Sequence, residues 1–357
     1  MEYRERKSIT PEEAVVLWQA SRLSLSKAYE KAPEILKVHN SVIGTLGNFS
    51  ASIGKAKSKK TFNVSAIVAA ALTNGIVLQY AAALPEDKRK ILYVDTEQSP
   101  YHCLKVARRI LRMAGLPTDK DYENLEFLAL RKYTPEERIA IVEQAIYHTD
   151  NIGLVIIDGI RDMVYDINSP SEATCIISKL MQWTDERQIH IHTILHQNKA
   201  DENARGHIGT ELNNKAETVL LVEKDEKDSD ISTVRAAHIR AVDFEAFAFR
   251  INGEALPELL EGYNFQKKEP GRPKKEKFDA YRDITEQQHR IALEAAFTLK
   301  EEYGYQELAE ALKSAYASVG VLLSDNKVVS LITTLKNKRM IVQENGRKYR
   351  FMPDFHY

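Results

Sequence analysis

From about residue 40 to residue 255, short runs of consecutive apolar residues alternate with longer stretches of helical period. ILYVD (91–95) and LVIID (154–158) are such runs, each closed by an aspartate, and LEFLAL (125–130) and IHIHTILHQN (189–198) read as further strands of the same series. Unbroken apolar strands of this length belong to sheets covered on both faces. Between them lie helix-period stretches with recognisable ends. SPYHCLKVARRILRMAG stops at Gly115 with Pro117 behind it, PEERIAIVEQAIYH is opened by Thr134 and Pro135, and EATCIISKLMQWTDER follows residue 170. The alternation predicts an α/β fold with a mostly parallel sheet flanked by helices. STVRAAHIRA and EAFAFRIN alternate polar and apolar positions and are expected as antiparallel edge strands.

The flanks read differently. Thr10, Pro11 and two acids open a helix expected within residues 10–35, whose apolar positions Ala14, Leu17, Trp18 and Leu25 suit either its own domain or a neighbouring subunit. At 266–277 the chain turns to QKKEPGRPKKEK, a lysine-rich linker. Three helical stretches follow, 285–303, 305–318 and 324–338, then MIVQENGRKYRFM with the hairpin signal Asn345-Gly346. Three helices and a hairpin describe a winged helix. The expected division is an N-terminal helical segment (1–39), an α/β domain (40–263), a basic linker (264–282) and a winged-helix domain (283–357).

Composition adds only exclusions. Among 357 residues, 50 Lys and Arg nearly cancel 51 Asp and Glu, so bulk charge selects no partner. No apolar run approaches the roughly 20 residues that cross a bilayer, and the charged N-terminus lacks a signal-peptide core. The expectation is a cytoplasmic protein with no membrane partner. Cys103 and Cys175 form no metal spacing.

The chemistry gathers around FSASIGKAKSKKTFN (49–63), where a strand meets a lysine-rich loop and then a helix beginning near Lys60. Gly54, Lys60 and Thr61 meet the spacing of a phosphate-binding loop, and the glycine that usually precedes the lysine is replaced by Lys59. Gly54, Lys55, Ala56, Lys57, Ser58, Lys59, Lys60, Thr61 and Phe62 are expected to wrap the phosphates of ATP. Backbone N–H groups, the positive helix end and the Lys60 ammonium neutralise the phosphate charge. Thr61 and Asp158 are the expected Mg2+ ligands, Asp158 ending a buried strand at the ligand-binding edge. Many ATPases carry a catalytic carboxylate directly after that aspartate, but here the position is Gly159. Glu97, closing the VDTEQ strand, is therefore expected to orient the attacking water, with Asp95 a deeper, weaker alternative.

Gly54 to Thr61, Glu97, Asp158 and Gln197 fall in the order of the RecA-like ATPases, and over residues 40–255 the chain most resembles the RepA-type hexameric helicase branch and the accessory ATPases of mobilizable transposons and plasmids. The resemblance implies that Gln197 senses the γ-phosphate and couples it to the polar loop 199–211 near a central pore that can touch DNA. It also implies a homo-oligomeric ring, a hexamer in that branch, with nucleotide bound between subunits. Arg240 falls where such relatives keep a basic finger supplied by the neighbour, and His238 where a second basic residue is expected.

DNA contacts are expected in two further places. GRPKK (271–275) resembles an AT-hook core, offering Arg272, Lys274 and Lys275 to a minor groove. In the winged helix, the reading helix ends in Lys336, Lys338 and Arg339, and the wing adds Arg347, Lys348 and Arg350. The function expected from the sequence is a DNA-linked ATPase acting in replication or mobilization of a mobile element. The alternative is an ATP-gated DNA-binding regulator with little turnover.

Overall fold

The computed structural model describes residues 9–197, 206–265, 278–344 and 348–355. The chain divides into two compact units, Met1–Tyr263 and Asn264–Tyr357.

The first unit opens with α1 (Pro11–Ala20), closed at its start by a Thr10/Glu13 capping box. None of its residues is buried, and Val15, Val16, Leu17 and Trp18 face outward. The helix ends well short of residue 35. Glu34–Val38 is instead β1, because Pro33 disfavours helix before it and Ile35, Leu36 and Val38 are fully buried. β1 turns at His39, in the left-handed region with φ 51°, into β2 (Ser41–Thr45), so a strand pair begins before the expected boundary at residue 40.

β3 (Phe49–Gly54) leads through the loop 55–59 into α2 (Lys60–Thr73). Then come β4 (Ile76–Val77), β5 (Tyr80–Ala82), β6 (Lys90–Asp95), α3 (Pro100–Met113), β7 (Leu125–Ala129), α4 (Pro135–His148), β8 (Ile152–Asp158), α5 (Pro170–Arg187) and β9 (His190–His196). α6 (Gly206–Lys215), β10 (Thr218–Lys224), β11 (Ile231–Ile239), β12 (Phe247–Ile251) and β13 (Pro257–Leu259) complete the unit. α6 lies partly in the segment expected as a polar loop, and Ile208 and Leu212, one helical turn apart, anchor it in the core.

Two sheets result. A small one runs β2-β1-β5-β4, and a nine-stranded one runs β13-β12-β11-β10-β3-β9-β8-β6-β7. From β10 to β7 every neighbouring pair is parallel, and β11, β12 and β13 are added antiparallel. β3 and β8 are buried along their whole length, which is why LVIID reads as one apolar run. Strand alternation divides the core. Ile91, Tyr93, Leu154 and Ile156 pack with α2 and α3, while Leu92, Val94, Val155 and Ile157 pack with α4, α5 and α6. Ala66, Ala69, Ala70 and Ala71 of α2 are all buried in the first of these layers.

The second unit, taken by itself, holds α7 (Glu286–Thr298), β14 (Glu302–Tyr303), α8 (Tyr305–Ser318), α9 (Asp325–Asn337), β15 (Ile341–Gln343) and β16 (Tyr349–Phe351). Its sheet runs β14-β16-β15, antiparallel throughout, over a core of Leu293, Leu308, Leu312, Tyr316, Leu331 and Leu335. The helix expected to reach residue 303 stops at Thr298. Tyr303 turns inward instead, edge-on to Phe297, with its hydroxyl donating to Ala296 O at 2.6 Å.

Candidate functional site

The carboxyl ends of β3, β6, β8 and β9 meet at one edge of the large sheet, the edge where parallel α/β sheets bind ligands. Gly54, Asp95, Asp158 and His196 are the last residues of these four strands. A cleft of about 400 Å3 opens there, lined by the loop residues Lys57 to Phe62 and by Glu97, Gln98, Arg109, Asp158, Arg161 and His196 among others.

The loop is built by close approach. A Cβ on Gly54 would lie 2.2 Å from Val222 O and 2.6 Å from Ser58 Oγ, so only glycine fits. Lys57 and Lys59 both sit in the left-handed region, with φ of 65° and 66°. Lys59 therefore takes the conformation that the usual glycine supplies, at a cost of about 1–2 kcal/mol. Its side chain turns away from the loop's interior, and Nζ donates to Ser229 O beside Asp230, 3.7 Å away. Ser58 Oγ is buried without a hydrogen-bond partner, and Lys55, Ala56 and Lys57 are exposed.

Lys60 opens α2 and is 5 % exposed. Nζ donates to Gly54 O at 2.9 Å and Lys55 O at 3.0 Å, and stands 3.1 Å from His196 Nδ1. Burial pulls its pKa down to about 8, against the pull of Asp158 and Glu97. Next to it, Thr61 Oγ1 donates to Asp158 Oδ2 at 3.0 Å, and Tyr93 OH donates to the same oxygen at 3.0 Å. Burial, with Asp95 adding repulsion, pushes the Asp158 carboxyl up to about 7. Tyr93 is itself fixed by stacking on Phe127 at 4.4 Å.

The two candidate bases separate clearly. Asp95 is 1 % exposed and its oxygens accept from Glu97 N, Gln98 N and Gln98 Nε2, so it caps the turn and is occupied. Glu97 is exposed to the cleft, with Oε1 3.7 Å from His196 Nε2. His196, followed by Lys60 and Arg161, holds the Glu97 carboxyl below the usual range. Gly159 has φ 102°, and a Cβ there would meet Thr96 Oγ1 at 2.2 Å and Glu97 Cγ at 3.2 Å. The position after Asp158 cannot carry a side chain, and Glu97 fills the adjacent space.

Gln197 is buried, and its backbone N–H donates to Gly54 O at 3.1 Å. His196, one residue earlier, reaches both Lys60, at 3.1 Å, and Glu97, at 3.7 Å. His196 is not among the residues expected at the site, although HIHTILH sets His190, His192 and His196 on one strand face. Phe62 carries the Arg109 guanidinium over its ring at 3.6 Å, forming a flat wall of the cleft.

Arg240 is not brought to this cleft. It follows β11, where Ile239 pairs with Thr218 and Thr218 with Ser50, so it lies at the edge where the parallel strands begin. Nη2 donates to Lys215 O at 2.9 Å. In the second unit Lys348 faces Glu302 at 3.6 Å, and Arg350 faces Glu302 at 3.1 Å and Glu344 at 3.5 Å. Lys336 donates to Gln343, Lys338 lies over the Tyr281 ring at 3.8 Å, and Arg339 is exposed with φ 54°. Arg272, Lys274, Lys275 and Arg347, and most of the loop 199–211, lie outside the described residues.

The site's residues fit ATP and Mg2+. Ser58 Oγ is a buried polar atom in the phosphate loop with no protein partner. Asp158 and Thr61 present adjacent oxygens, a donor set that suits Mg2+, which takes one or two carboxylates together with phosphate oxygens.

Residues 26–202 match the family model described as an AAA domain. No curated protein matches the chain. Among solved structures, the RadB recombinase is similar with a TM-score of 0.41 and 15 % identity, over 59 % of this chain and 90 % of that one. The phosphate loop and strand order, together with the AAA domain match, support a P-loop ATPase domain. Among the described residues no helix is long and apolar enough to cross a membrane.

Proposed function

We propose that the protein is a DNA-linked ATPase that hydrolyses ATP in an oligomeric, hexameric ring and acts as a helicase-like motor in replication or mobilization of a mobile genetic element. The observation that carries the catalytic part is the single cleft holding Lys60, Glu97, His196 and the Thr61–Asp158 pair.

Lys60 binds the β- and γ-phosphates, exchanging its carbonyl partners Gly54 O and Lys55 O for phosphate oxygens. Thr61 and Asp158 would hold Mg2+, which draws charge from the phosphate oxygens when bound. Glu97, kept ionised by His196 and Lys60, accepts the proton of the attacking water. His196, placed between base and ammonium, reads the γ-phosphate together with the neighbouring Gln197. Arg240, remote from its own cleft, acts on the site of the adjacent subunit. α1, exposed along its whole length, joins neighbouring subunits.

The second unit binds DNA as a winged helix, with α9 as reading helix and β15–β16 as wing, and GRPKK (271–275) adds minor-groove contacts. Helix, strand, helix, helix and hairpin in that order, with β14 pairing β16, support this reading.

One observation favours the alternative, an ATP-gated DNA-binding regulator with little turnover. Lys59 ties the phosphate loop to the turn at Ser229 and Asp230 in a strained conformation, a restraint on the loop that glycine would not impose. Steady-state ATP hydrolysis with and without duplex DNA separates the two. DNA-stimulated turnover identifies a motor, and binding without turnover a switch.

A further inference from the structure

Arg138 lies in α4, does not line the nucleotide cleft, and directs its whole guanidinium at backbone carbonyls. Nε donates to Leu130 O at 3.1 Å, Nη1 to Asp162 O at 2.6 Å, and Nη2 to Arg131 O at 3.0 Å and Thr96 O at 3.4 Å. These carbonyls belong to the three segments that leave β6, β7 and β8. Thr96 is tied to the same place by its own atoms. Its N–H donates to Asp158 O at 3.1 Å, and its hydroxyl lies within 3.1 Å of Asp158 O, Gly159 O and Asp162 Oδ2.

The residues next to these anchors are the ones that face the cleft. Glu97 follows Thr96, and Arg161 precedes Asp162. A planar fork with five fixed donors can hold carbonyls on three segments at once, which a lysine ammonium on a flexible stem cannot reproduce. Arg138 is half-buried, and α4 is independently capped by Thr134 and Glu137, so the helix does not depend on the guanidinium.

We propose that Arg138 is a positioning residue for hydrolysis, clamping the turns after β6 and β8 so that the Glu97 carboxylate stands where it meets the attacking water. The proposal rests on Glu97 being the general base. Displacement of a base by about 1 Å costs up to about 100-fold in rate, and nucleotide affinity has no contact to lose.

The test uses the full chain and three readouts: ATP turnover, affinity for a fluorescent non-hydrolysed ATP analogue, and melting temperature. Arg138→Ala is expected to lower kcat by about 100-fold, with analogue affinity held within about twofold. Millimolar guanidinium, too dilute to denature, is expected to restore part of that kcat and to leave wild type and Glu97→Gln unaffected. Arg138→Lys is expected to fall between wild type and alanine. Wild-type turnover in Arg138→Ala would overturn the proposal. So would a parallel loss of affinity, kcat and melting temperature without guanidinium rescue, which marks support of the fold alone. Full turnover in Glu97→Gln would remove the base assignment itself, a failure distinguishable from that of the clamp.

Discussion

At the carboxyl edge of the large sheet, Lys60, Asp95 and Asp158 are buried and sit among one another's fields, whereas Lys348 and Arg350 of the second unit are exposed and paired with Glu302 and Glu344. The first group has pKa values displaced toward neutrality, Lys60 to about 8 and Asp158 to about 7. Burial has raised the interaction between these groups and any phosphate or cation that joins them. In the second group, solvent screens each charge and a carboxylate already answers it, so any phosphate that binds there must compete. One region stores electrostatic selectivity in a few desolvated groups. The other offers many weak, salt-sensitive contacts.

If that contrast holds, the largest effect belongs to Lys60→Ala. Loss of a desolvated, charge-assisted donor should weaken ATP binding by about 100-fold or more, measured by titration with a fluorescent analogue. Unchanged affinity would mean the loop does not hold phosphate.

pH should move the same site next most strongly. Asp158 takes up a proton as pH falls through about 7, and metal affinity should then drop by roughly tenfold per pH unit. Lys60 loses its proton as pH rises through about 8, and phosphate affinity should decline above that point. Mg-ATP affinity is therefore expected to peak between about pH 7 and 8. A flat profile across pH 6 to 9, read by calorimetry, would show that neither group is bound to the ligand in its charged form.

Lys59→Gly sharpens the comparison inside the first region. Glycine takes φ 66° freely and should recover about 1 kcal/mol of stability, offset in part by the lost partnership with Asp230. Faster ATP turnover without gain in affinity is the expected companion. A slower variant would show that the Lys59 tie assists catalysis.

The smallest effect is expected in the second region. Glu302→Gln releases Lys348, while Arg350 keeps Glu344, and should tighten duplex DNA binding at low salt, steepening the logarithmic salt dependence by about 1, at roughly 0.9 per freed cation. Anisotropy at several salt concentrations reads the slope. Unaltered binding would place the DNA contact elsewhere in the chain.

Local pattern carried the elements whose environment is uniform along their length. β8 lies wholly in the core and reads as an apolar run, and α4 begins and ends where Thr134, Pro135 and His148 say it should. Lys60, Thr61, Glu97 and Asp158, separated by up to about one hundred residues, converge because each ends or follows a parallel strand. Other features depend on what a residue meets across the fold. β4 and β5 are too short to show a period, and the small sheet exists through pairing with β1. His196 is placed at the site by Lys60 and Glu97, and Tyr93 by Asp158, contacts that no spacing along the chain encodes. Arg138 sits on an exposed-looking helical stretch, and only the three converging turns reveal what it holds.

The most direct test of the account is steady-state ATP turnover of the full chain, wild type and Glu97→Gln, with and without duplex DNA at low salt. The account predicts turnover in wild type that DNA accelerates, and a fall of about 100-fold or more in Glu97→Gln with ATP-analogue binding retained. Turnover that ignores both DNA and the loss of the Glu97 carboxylate would contradict it.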